Sequence, residues 1–592
     1  MSLTRRTPCG TVGTNQVGSD VDLYGWVHRR RDLGGLIFID LRDRSGMVQV
    51  KFDPMHAQAH ATGGELRSES VIHVRGPVQR RPPGTENKEL ATGAVEVEAH
   101  AVDILNRAQP PPFAVNEDGF VDEQLRLRYR YLDLRRSRMA RNLQLRHRMA
   151  KATRDFLDGE GFVEIETPVL IRSTPEGARD YLVPSRLKPG YVYALAQSPQ
   201  LYKQLLMVAG MDRYFQIVRC YRDEDQRADR QPEFTQLDLE MSFVSEDDVL
   251  DVIERSFAHV WKRVLDVVVP TPIRRITHAE ALQRYGVDKP DLRYGLEIQE
   301  LSPIFAATGF KIFRQALDGG GVVRGIRIPR NLVAREIDAL TEVARAEGAK
   351  GLAFWHREAE GWRSPITKFF RDRELAGLQE ATGAQPDEVV VAVADRADVA
   401  AAALGSVRKS AARTLGLIKE AVFEFVWVTE FPLFERSKET GEITAAHHPF
   451  TSPRPEDLPL LESEPLRVRA RAYDLVLNGT ELGSGSIRIH DPEMQQRVFS
   501  GLGISKEDAE RKFGFLLNAF RFGAPPHGGF AYGLDRVVML AAGEETIREV
   551  IAFPKNQQAE ELMTDAPAPA DPKQLRDLGL ELVRRPGPQP RV

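Results

Sequence analysis

A strict alternation of polar and apolar residues over positions 234–243 constrains the fold of this chain more than any other feature. The polar positions are Gln236, Asp238 and Glu240, and the apolar ones are Leu237, Leu239 and Met241. A second strand pattern at 214–222 is joined to the first by the polar loop 223–233. Because successive side chains of a strand point to opposite faces, this predicts a β-hairpin with one apolar face and one face that carries carboxylates. Such a polar face is either the wall of a site or a half-exposed sheet surface.

Further domains surround this hairpin, since 592 residues far exceed the ~150 that are usual for one domain. Strand patterns at 21–27, 36–42, 47–52, 71–78 and 95–104 predict a small barrel. The proline-rich segment 109–112 ends these patterns and predicts a linker. Residues 286–420 contain alanine-rich helical stretches such as 392–404 and predict an inserted domain.

Helical patterns flank the hairpin and follow the last strands. Residues 141–159 have apolar side chains at helical spacing. Ser198-Pro199 predicts the start of another helix with Ser198 as its N-cap, which places Gln200 and Lys203 on one face near the positive helix end. The tail is predicted to hold one short helix near 573–583.

Composition and charge exclude several classes of protein. No apolar run approaches the ~18 residues that span a bilayer, and no export signal is visible at the start, so we expect a cytoplasmic protein without a membrane segment. Cys9 and Cys220 are too few for a disulfide framework. Twelve Lys and Arg residues lie within 107–154 and either contact nucleic-acid phosphates or form a solvated helix face.

Two segments each place a guanidinium where a phosphate could bind. Arg222-Asp223-Glu224 follows a strand at the mouth of the hairpin. The glycine-rich run 528–536 precedes an apolar helix and puts Arg536 at its start, where the helix attracts anions. Each segment alone is also compatible with ordinary packing.

A second hairpin brings two carboxylates together. Asn478-Gly479 is a strong signal for a two-residue turn. This turn pairs Val476 with Glu481 and leaves Asp474 on the same face as Glu481. The two carboxylates form either a magnesium site for nucleotide phosphates or an exposed acidic corner.

Arg488 follows the glycine-rich run 483–486 beyond this hairpin. Strict alternation from Glu481 puts Arg488 on the opposite face, so a bulge at one glycine is required if both belong to one site. His447 and His448 are interpreted as neutral, hydrogen-bonding histidines.

Taken in order, residues 161–168, 215–224 with its return strand, and 528–536 resemble the three signature motifs of class II aminoacyl-tRNA synthetases. Nearly the whole chain is similar to the bacterial-type aspartyl-tRNA synthetases, through residues 26–43, 128–136, 173–185, 197–203, 222–240, 447–452, 473–490 and 551–556. The resemblance implies an α+β multidomain protein: an N-terminal OB-fold β-barrel that reads the anticodon, a catalytic domain built on an antiparallel sheet with helices, and an inserted α+β domain. It also implies a homodimer through the segment that contains Pro168.

The resemblance gives the predicted division of the chain its functional meaning. The anticodon-binding barrel covers 1–106, the hinge 107–140, the two parts of the catalytic domain 141–285 and 421–555, the inserted domain 286–420, and a C-terminal extension 556–592.

The implied reaction activates L-aspartate with ATP and Mg²⁺ and transfers it to the terminal adenosine of tRNA-Asp. The residues implied for catalysis are Arg222, Glu224 and Arg536. Those for ATP are Arg222, Asp223, Glu224, Gln231, Glu481, Gly533, Leu534, Asp535 and Arg536. Those for aspartate are Glu176, Gln200, Lys203, Arg222, Asp238, His447 and Arg488. Asp474 and Glu481 are implied for magnesium, and Arg29, Arg31, Phe38, Gln49 and Glu96 for the anticodon.

Two cations favour aspartate over asparagine, since Arg488 can bind the β-carboxylate bidentately while Lys203 adds a second positive charge. On this basis we expect Arg488→Leu to abolish aspartate activation and to leave folding intact. Leu33 resembles the members that charge tRNA-Asp alone, and we expect that specificity, with tRNA-Asn as an alternative substrate. The loop 80–87 departs from the family pattern and leaves the reading of the third anticodon base open.

Other interpretations remain. Phe38 either stacks on a base or packs inside the barrel. Beyond the aspartyl enzyme, the alternatives are an asparaginyl-tRNA synthetase, a nucleic-acid-binding regulator with an inactive synthetase domain, and a tRNA-independent ligase that makes asparagine.

Overall fold

A computed structural model describes residues 6–173, 178–225, 227–437 and 440–583. The chain forms two compact units, one of Met1–Arg146 with Arg548–Pro569 and one of His147–Ile547 with Ala570–Val592. The finer division of the chain given above remains a prediction. Among the described residues, none of the helices combines the length and the apolar character that a membrane crossing requires.

The first unit begins with the predicted barrel. Its elements are β1 Asp20–Leu33, β2 Leu36–Asp43, β3 Gly46–Phe52, α1 Ala57–Glu65, β4 Val71–Arg80, β5 Val95–Glu98 and β6 Ala101–Asn106. The strands follow the order β1-β2-β3-β5-β4, and β4 pairs back to β1, so five strands close the barrel while β6 adds to β4. Alternation places Ile37, Ile39 and Val50 in its core. The barrel is confirmed, although the strand predicted at 95–104 is two strands separated by Ala99 and His100.

Three helices follow in the chain: α2 Glu123–Arg128, α3 Arg130–Asp133 and α4 Ser137–Gly159. Within the first unit, Arg130 is 2% exposed and donates to Asp133 Oδ2 at 2.6 Å and to the carbonyl oxygens of Arg548 and Ile551 at 2.5 and 2.9 Å. Arg126 binds Asp133 and the Glu549 carboxylate, the latter at 2.9 and 2.7 Å. The interpretation as a solvated helix face is therefore wrong for Arg126 and Arg130, whereas Arg141, Arg148, Lys151 and Arg154 are exposed on α4 as that interpretation predicts. The alternative of contacts with nucleic-acid phosphates stays a prediction.

The second unit continues with the polar hairpin. The elements up to residue 285 are β7 Val163–Glu164, β8 Leu170–Ile171, β9 Leu182–Pro184, β10 Val192–Leu195, α5 Gln200–Val208, β11 Arg213–Tyr221, β12 Glu233–Ser242, α6 Glu246–Leu265, β13 Arg275–Thr277 and α7 His278–Tyr285. The hairpin of β11 and β12 is confirmed.

The next segment forms a separate five-stranded antiparallel sheet with the order β14-β15-β18-β16-β17. Its elements are β14 Ile298–Glu300, α8 Ser302–Phe305, α9 Lys311–Asp318, β15 Val322–Ile328, α10 Ala334–Ala346, β16 Ala353–Glu358, β17 Gly361–Arg363, α11 Asp372–Thr382, β18 Glu388–Asp395 and α12 Ala397–Thr414. The helical prediction for 392–404 is wrong at its start, because the valine-rich run before Ala392 continues as β18 and the helix begins only at Ala397.

The remaining elements are β19 Phe425–Thr429, β20 Phe434–Arg436, β21 Ile443–Ala445, β22 Ala472–Leu477, β23 Thr480–Ile487, α13 Pro492–Gly501, α14 Lys506–Phe520, β24 His527–Gly533, α15 Leu534–Ala542 and α16 Pro572–Asp577. Short 3₁₀ turns lie at Cys9–Thr11, Thr14–Gln16, Thr367–Phe369, Pro455–Leu460, Pro465–Arg467 and Ile547–Glu549. The tail helix ends at Asp577, earlier than predicted, because Gly579 follows with a φ of 65°.

An eight-stranded sheet with the order β13-β19-β22-β23-β24-β12-β11-β7 is the centre of the second unit. Only two of its pairings, β7 with β11 and β13 with β19, are parallel. Helix α6 covers one face, where Phe257 packs on Phe425 and Tyr532. The polar side chains of β12 lie on the other face, which is therefore free to form a site.

Candidate active site

A cavity of about 750 Å³ opens on the polar face of the central sheet. The predicted site residues that line it are Gln200, Lys203, Arg222, Glu224, Gln231, Asp238, His447, Glu481, Arg488, Gly533, Asp535 and Arg536. Asp223, Asp474 and Leu534 are not among its lining residues, and Glu176 lies outside the described residues. The structure thus brings most of the predicted residues to one cavity from four separate parts of the chain.

Four charged side chains form a buried cluster at the inner end of the cavity. Arg488 binds Glu240 through Nε–Oε1 and Nη2–Oε2 contacts of 2.9 and 3.2 Å. Lys203 lies 2.9 Å from Asp238 Oδ2 and 3.2 Å from Glu240 Oε2. All four residues are at most 3% exposed, so the two cations are balanced by two carboxylates in a dry environment.

The environment shifts the pKa of both carboxyl groups in this cluster. Burial raises the pKa of Asp238 to about 6, against the opposing effect of Lys203. Burial acts on Glu240 in the same direction, but Arg488 and Lys203 outweigh it and lower its pKa. Asp238 Oδ1 is buried without a hydrogen-bond partner among the described residues, which leaves one carboxylate oxygen available at the cavity.

Sequence reasoning missed three partners of Arg488. The alternation in 234–243 predicts that Glu240 lies on the same polar face as Asp238, but no partner for Glu240 is predicted. This shared face was the signal that could have identified Glu240 as a residue of the site. Arg488 Nη1 also donates to Ser486 Oγ and to His448 Nε2, both at 2.6 Å. Burial and the nearby Arg488 hold the pKa of His448 well below its usual value, so this histidine is neutral, as predicted.

Helix α5 supplies Gln200 and Lys203, but its start differs from the prediction. Pro199 occupies the N-cap position, and the helix begins at Gln200. Ser198 Oγ accepts a hydrogen bond from the Gln200 N–H at 3.2 Å. Ser198 therefore still pairs with a backbone N–H that has no partner within the helix, although it lies one residue before the N-cap. Gln200 Nε2 donates to Gln204 Oε1 at 3.2 Å.

Two guanidinium groups line the other end of the cavity. Arg222 lies over the Phe234 ring at 5.1 Å and donates to the Gln197 carbonyl oxygen at 3.4 Å. Arg536, in the first turn of α15, donates to the Glu481 carbonyl oxygen at 2.5 Å and pairs with Asp229 at 3.0 Å. Their cationic heads suit an anionic ligand such as a phosphate chain.

Other predicted residues at this end are held by local contacts. Glu224 pairs with Arg230 at 2.8 Å. Asp535 accepts from the backbone N–H of Thr235 at 2.7 Å, which joins α15 to the start of β12. Asp229, Arg230 and Phe234 are cavity residues that the sequence did not single out.

The second hairpin has the predicted turn and the predicted pairing of Val476 with Glu481. Asn478 and Gly479 have φ values of 52° and 78°, as its two-residue turn requires. The register then shifts, because Leu475 pairs with Gly483 and leaves Leu482 as the extra residue. This bulge brings Glu481, Ser486 and Arg488 to the same cavity. The bulge was predicted at a glycine and lies one residue earlier, beside Gly483, where a Cβ would come within 2.2 Å of the Ala531 carbonyl oxygen.

Asp474 and Glu481 meet beside this bulge. Burial and the charge of Asp474 raise the pKa of Glu481. Asp474 is 8% exposed, and its Oδ1 accepts no hydrogen bond within the described part of the chain, although His447 Nε2 lies 3.5 Å away. The alternative of an exposed acidic corner is therefore wrong. Paired carboxylates with free oxygen lone pairs fit a hard cation such as Mg²⁺.

Asp474 also affects His447, for which a neutral side chain stays a prediction. Burial favours the neutral imidazole, but Asp474 outweighs it and raises the pKa of His447 above its usual value.

The residues predicted to bind the anticodon lie outside the apolar core of the barrel, and two of them, Gln49 and Glu96, are nevertheless buried, with 8% and 5% exposure. Arg31 donates to Asp40 Oδ1 at 2.9 Å and to Gln49 Oε1 at 3.3 Å, and Gln49 Nε2 donates to Glu96 Oε2 at 2.7 Å. Phe38 pairs with Arg31 across β1 and β2 and is half-buried, whereas its neighbours Ile37 and Ile39 face the core. Packing of Phe38 inside the barrel is therefore wrong. Arg29 is exposed on the same hairpin.

Comparisons with known proteins bear on both units. Residues 122–557 match the family described as tRNA synthetases class II (D, K and N), and residues 21–105 match the OB-fold nucleic acid binding domain. The chain is 55% identical over 590 residues to the aspartate–tRNA(Asp/Asn) ligase of Moorella thermoacetica, covering 99% of this chain and 98% of that protein. It is 53% identical over 580 residues to the aspartate–tRNA ligase of Geobacillus kaustophilus, covering 97% and 98%. The aspartyl tRNA synthetase structure from Entamoeba histolytica has the same fold, with a TM-score of 0.57 at 18% identity over 93% of this chain and 91% of that one.

Proposed function

The chain belongs to the class II tRNA synthetases of the D, K and N group, and we propose that it is an aspartate–tRNA ligase. The enzyme joins L-aspartate to tRNA in two steps and consumes ATP in the first. The observation that carries the amino-acid assignment is the buried cluster of Arg488, Lys203, Glu240 and Asp238 at the inner end of the cavity. The names of the relatives support the same assignment.

Charge balance explains why this cluster selects aspartate. The free cluster is neutral, and the side chain and ammonium of aspartate together add one negative and one positive charge. The β-carboxylate would bind Arg488 and Lys203, while the ammonium would bind the free Oδ1 of Asp238 and Gln200. Asparagine brings the ammonium without the compensating carboxylate and leaves an uncompensated charge in a dry pocket, which is costly.

In the first step, an α-carboxylate oxygen of aspartate attacks the α-phosphorus of ATP, and pyrophosphate leaves. Arg222 lines the cavity and would stabilise the charge on the α-phosphate. Arg536 would bind the γ-phosphate, and Glu224, Gln231 and the segment 533–535 would hold the nucleotide. Asp223 and Leu534, which were also predicted for ATP, do not line the cavity. The chain thus acts by positioning and electrostatics and needs no protein nucleophile.

Magnesium fits the pair Asp474 and Glu481, because Asp474 Oδ1 accepts no hydrogen bond in the described part of the chain and the two carboxylate charges repel each other. When bound there, Mg²⁺ would neutralise charge on the nucleotide phosphates. His447 borders both the metal pair and the cavity and would contact the substrate end.

In the second step, a ribose hydroxyl of the terminal adenosine of tRNA takes the aspartyl group from the adenylate, and AMP leaves. The outer face of the barrel would read the anticodon, with Phe38 stacking on a base and Arg29, Arg31, Gln49 and Glu96 making polar contacts. The tRNA substrate is tRNA-Asp. The names of most relatives at 50–55% identity favour tRNA-Asn as a second substrate, against the expectation from Leu33.

A homodimer is the proposed assembly, and the cytoplasm, where charged tRNA is used, is the proposed location. An exposed apolar surface supports the dimer: Val169, Leu170, Leu182 and Val192 are 37%, 50%, 56% and 47% exposed, and they follow the segment that contains Pro168. Such a patch on a soluble unit is typical of a protein interface.

Pyrophosphate exchange tests the proposal most directly. The purified chain is incubated with ATP, Mg²⁺ and labelled pyrophosphate, without tRNA, and aspartate and asparagine are offered separately. Exchange driven by aspartate alone is the expected result, and exchange driven by asparagine would overturn the assignment of the pocket. Charging of tRNA-Asp and tRNA-Asn transcripts, measured in parallel, then decides between the two tRNA specificities.

A further inference from the structure

Three potential metal ligands meet on the barrel, and none of them is among the residues assigned above. His56 precedes α1, Glu98 ends β5, and His100 lies in the connection from β5 to β6. Their ligand atoms all lie within 4.8 Å of one another, and the two imidazole rings are 4.2 Å apart between centroids. The three residues come from two connections and one strand, so their meeting is a product of the barrel fold.

We propose that His56, Glu98 and His100 bind a divalent transition metal ion, with Zn²⁺ as the favoured occupant. Two imidazole nitrogens and one carboxylate oxygen form a donor set that zinc commonly takes, with a fourth position open to water. Imidazole ligands also disfavour Mg²⁺ and Ca²⁺, which prefer oxygen ligands alone. The site is therefore chemically distinct from the Asp474 and Glu481 pair.

The geometry requires only small side-chain movements. Metal–ligand bonds of about 2.0–2.1 Å in a tetrahedral site place the ligand atoms about 3.4 Å apart. His56 Nε2 already lies 3.8 Å from Glu98 Oε1. His100 is exposed and His56 is half-buried, so both rings can rotate towards the carboxylate without disturbing the core.

A neighbouring side chain orients the carboxylate. Glu98 is 7% exposed, and its Oε2 accepts a hydrogen bond from Gln79 Nε2. This contact leaves Oε1 directed towards His56, as expected of a metal-binding carboxylate that an outer partner holds in place.

Lys51 is the group that a metal ion would displace. Its Nζ lies 3.5 Å from Glu98 Oε1 and 3.7 Å from Asp53 Oδ2. A metal ion would take over the contact with Glu98, while Lys51 would keep Asp53. Removal of the lysine charge should therefore strengthen metal binding, an effect that a purely structural cluster would not produce.

The test uses full-length protein freed of metal with a chelator and titrated with ZnCl₂ in a calorimeter. One zinc ion that depends on these residues is expected per chain, and Co²⁺ should give the visible absorption of a four-coordinate ion with nitrogen and oxygen ligands. His100→Ala should weaken the affinity by at least about tenfold, as losses around metal sites usually do. Lys51→Met should increase it.

His60→Ala is the matched control, because His60 lies in α1 and contacts the Gly35 carbonyl oxygen rather than the cluster. The proposal is overturned if the wild-type chain binds no zinc, or if His100→Ala and Glu98→Gln bind it as tightly as the control variant does. Because His100 is exposed, its replacement is not expected to disturb folding, and unchanged circular dichroism would verify this. The binding assay does not depend on aminoacylation, so its outcome is independent of the proposed function.

Discussion

The pairing of Arg488 with Glu240 makes a quantitative prediction about stability. Arg488→Met leaves Glu240 and Asp238 buried with Lys203 as their only partner in the cluster, a net charge of −1 in a dry site. Loss of one partner from a buried ion pair usually costs about 3–5 kcal/mol. A Coulomb estimate at 2.9 Å with an effective dielectric constant of about 20 gives about 6 kcal/mol, which is the same order. Arg488→Leu should therefore also destabilise the fold, contrary to the expectation from sequence.

A double-mutant cycle isolates this interaction. Arg488→Met and Glu240→Gln should each lower the free energy of unfolding by about 3–5 kcal/mol. The unfolding free energy of the double variant should fall by far less than the sum of the two single effects. In the double variant the cluster contains only the oppositely charged Lys203 and Asp238, so it has no net charge. Urea unfolding followed by tryptophan fluorescence measures each variant, with Lys51→Met as a control that leaves the cluster intact.

The reasoning is refuted if the losses in unfolding free energy of the two single variants add up to the loss of the double variant. It is also refuted if both single variants lose less than about 1 kcal/mol, which is the range of exposed ion pairs. Either result would mean that the cluster does not act as one charge-balanced unit.

The remaining predictions concern the metal pair, the pH dependence and the anticodon face. Glu481→Gln should raise the melting temperature without magnesium, because it removes a carboxylate charge that burial and the nearby Asp474 both disfavour, as the raised pKa of Glu481 indicates. The Mg²⁺ concentration needed for half-maximal exchange should rise about tenfold or more in this variant. A lower melting temperature would contradict the prediction. Asp238 must be ionised to bind the substrate ammonium, and its pKa is about 6. We therefore expect kcat/KM for aspartate to be constant above pH 6 and to fall about tenfold per pH unit below it. A kcat/KM that stays constant down to pH 5 would contradict this role of Asp238. Phe38→Ala should raise KM for tRNA about tenfold, by loss of stacking, and leave pyrophosphate exchange unchanged, so an equal loss in both assays would argue against an anticodon role.

Local patterns in the sequence predicted a large part of the fold. Alternation fixed the faces of β12, and the Asn478-Gly479 turn fixed the pairing of Val476 with Glu481. The strands of the barrel were also visible, since each buries one face. Errors concentrated at boundaries, as in β18 and α12, where alanine is compatible with both strand and helix.

The candidate site was predictable as a set of residues through the resemblance, but the pairing within it was not. Arg488 and Glu240 are 248 positions apart, and their contact depends on the order of β23, β24 and β12 in the sheet. The bulge at Leu482 depends on how closely Gly483 approaches Ala531, which no local pattern reveals. The cluster of His56, Glu98 and His100 was missed for the same reason, because a strand pairing brings its members together.

The ionic network of the first unit sets an order of events during synthesis on the ribosome. Arg126 and Arg130 leave the ribosome early, but Glu549 and the carbonyl groups of Arg548 and Ile551 follow more than 400 residues later. Until then, the carboxylate that these two arginines share within the described residues is that of the buried Asp133. The strands of the nascent barrel can pair without these later residues. Helices α2 and α3, in contrast, complete their ionic network only after residues 548–551 have been synthesised. A fragment that stops before residue 548 would therefore leave Arg126 and Arg130 without several of the partners that they have in the full chain.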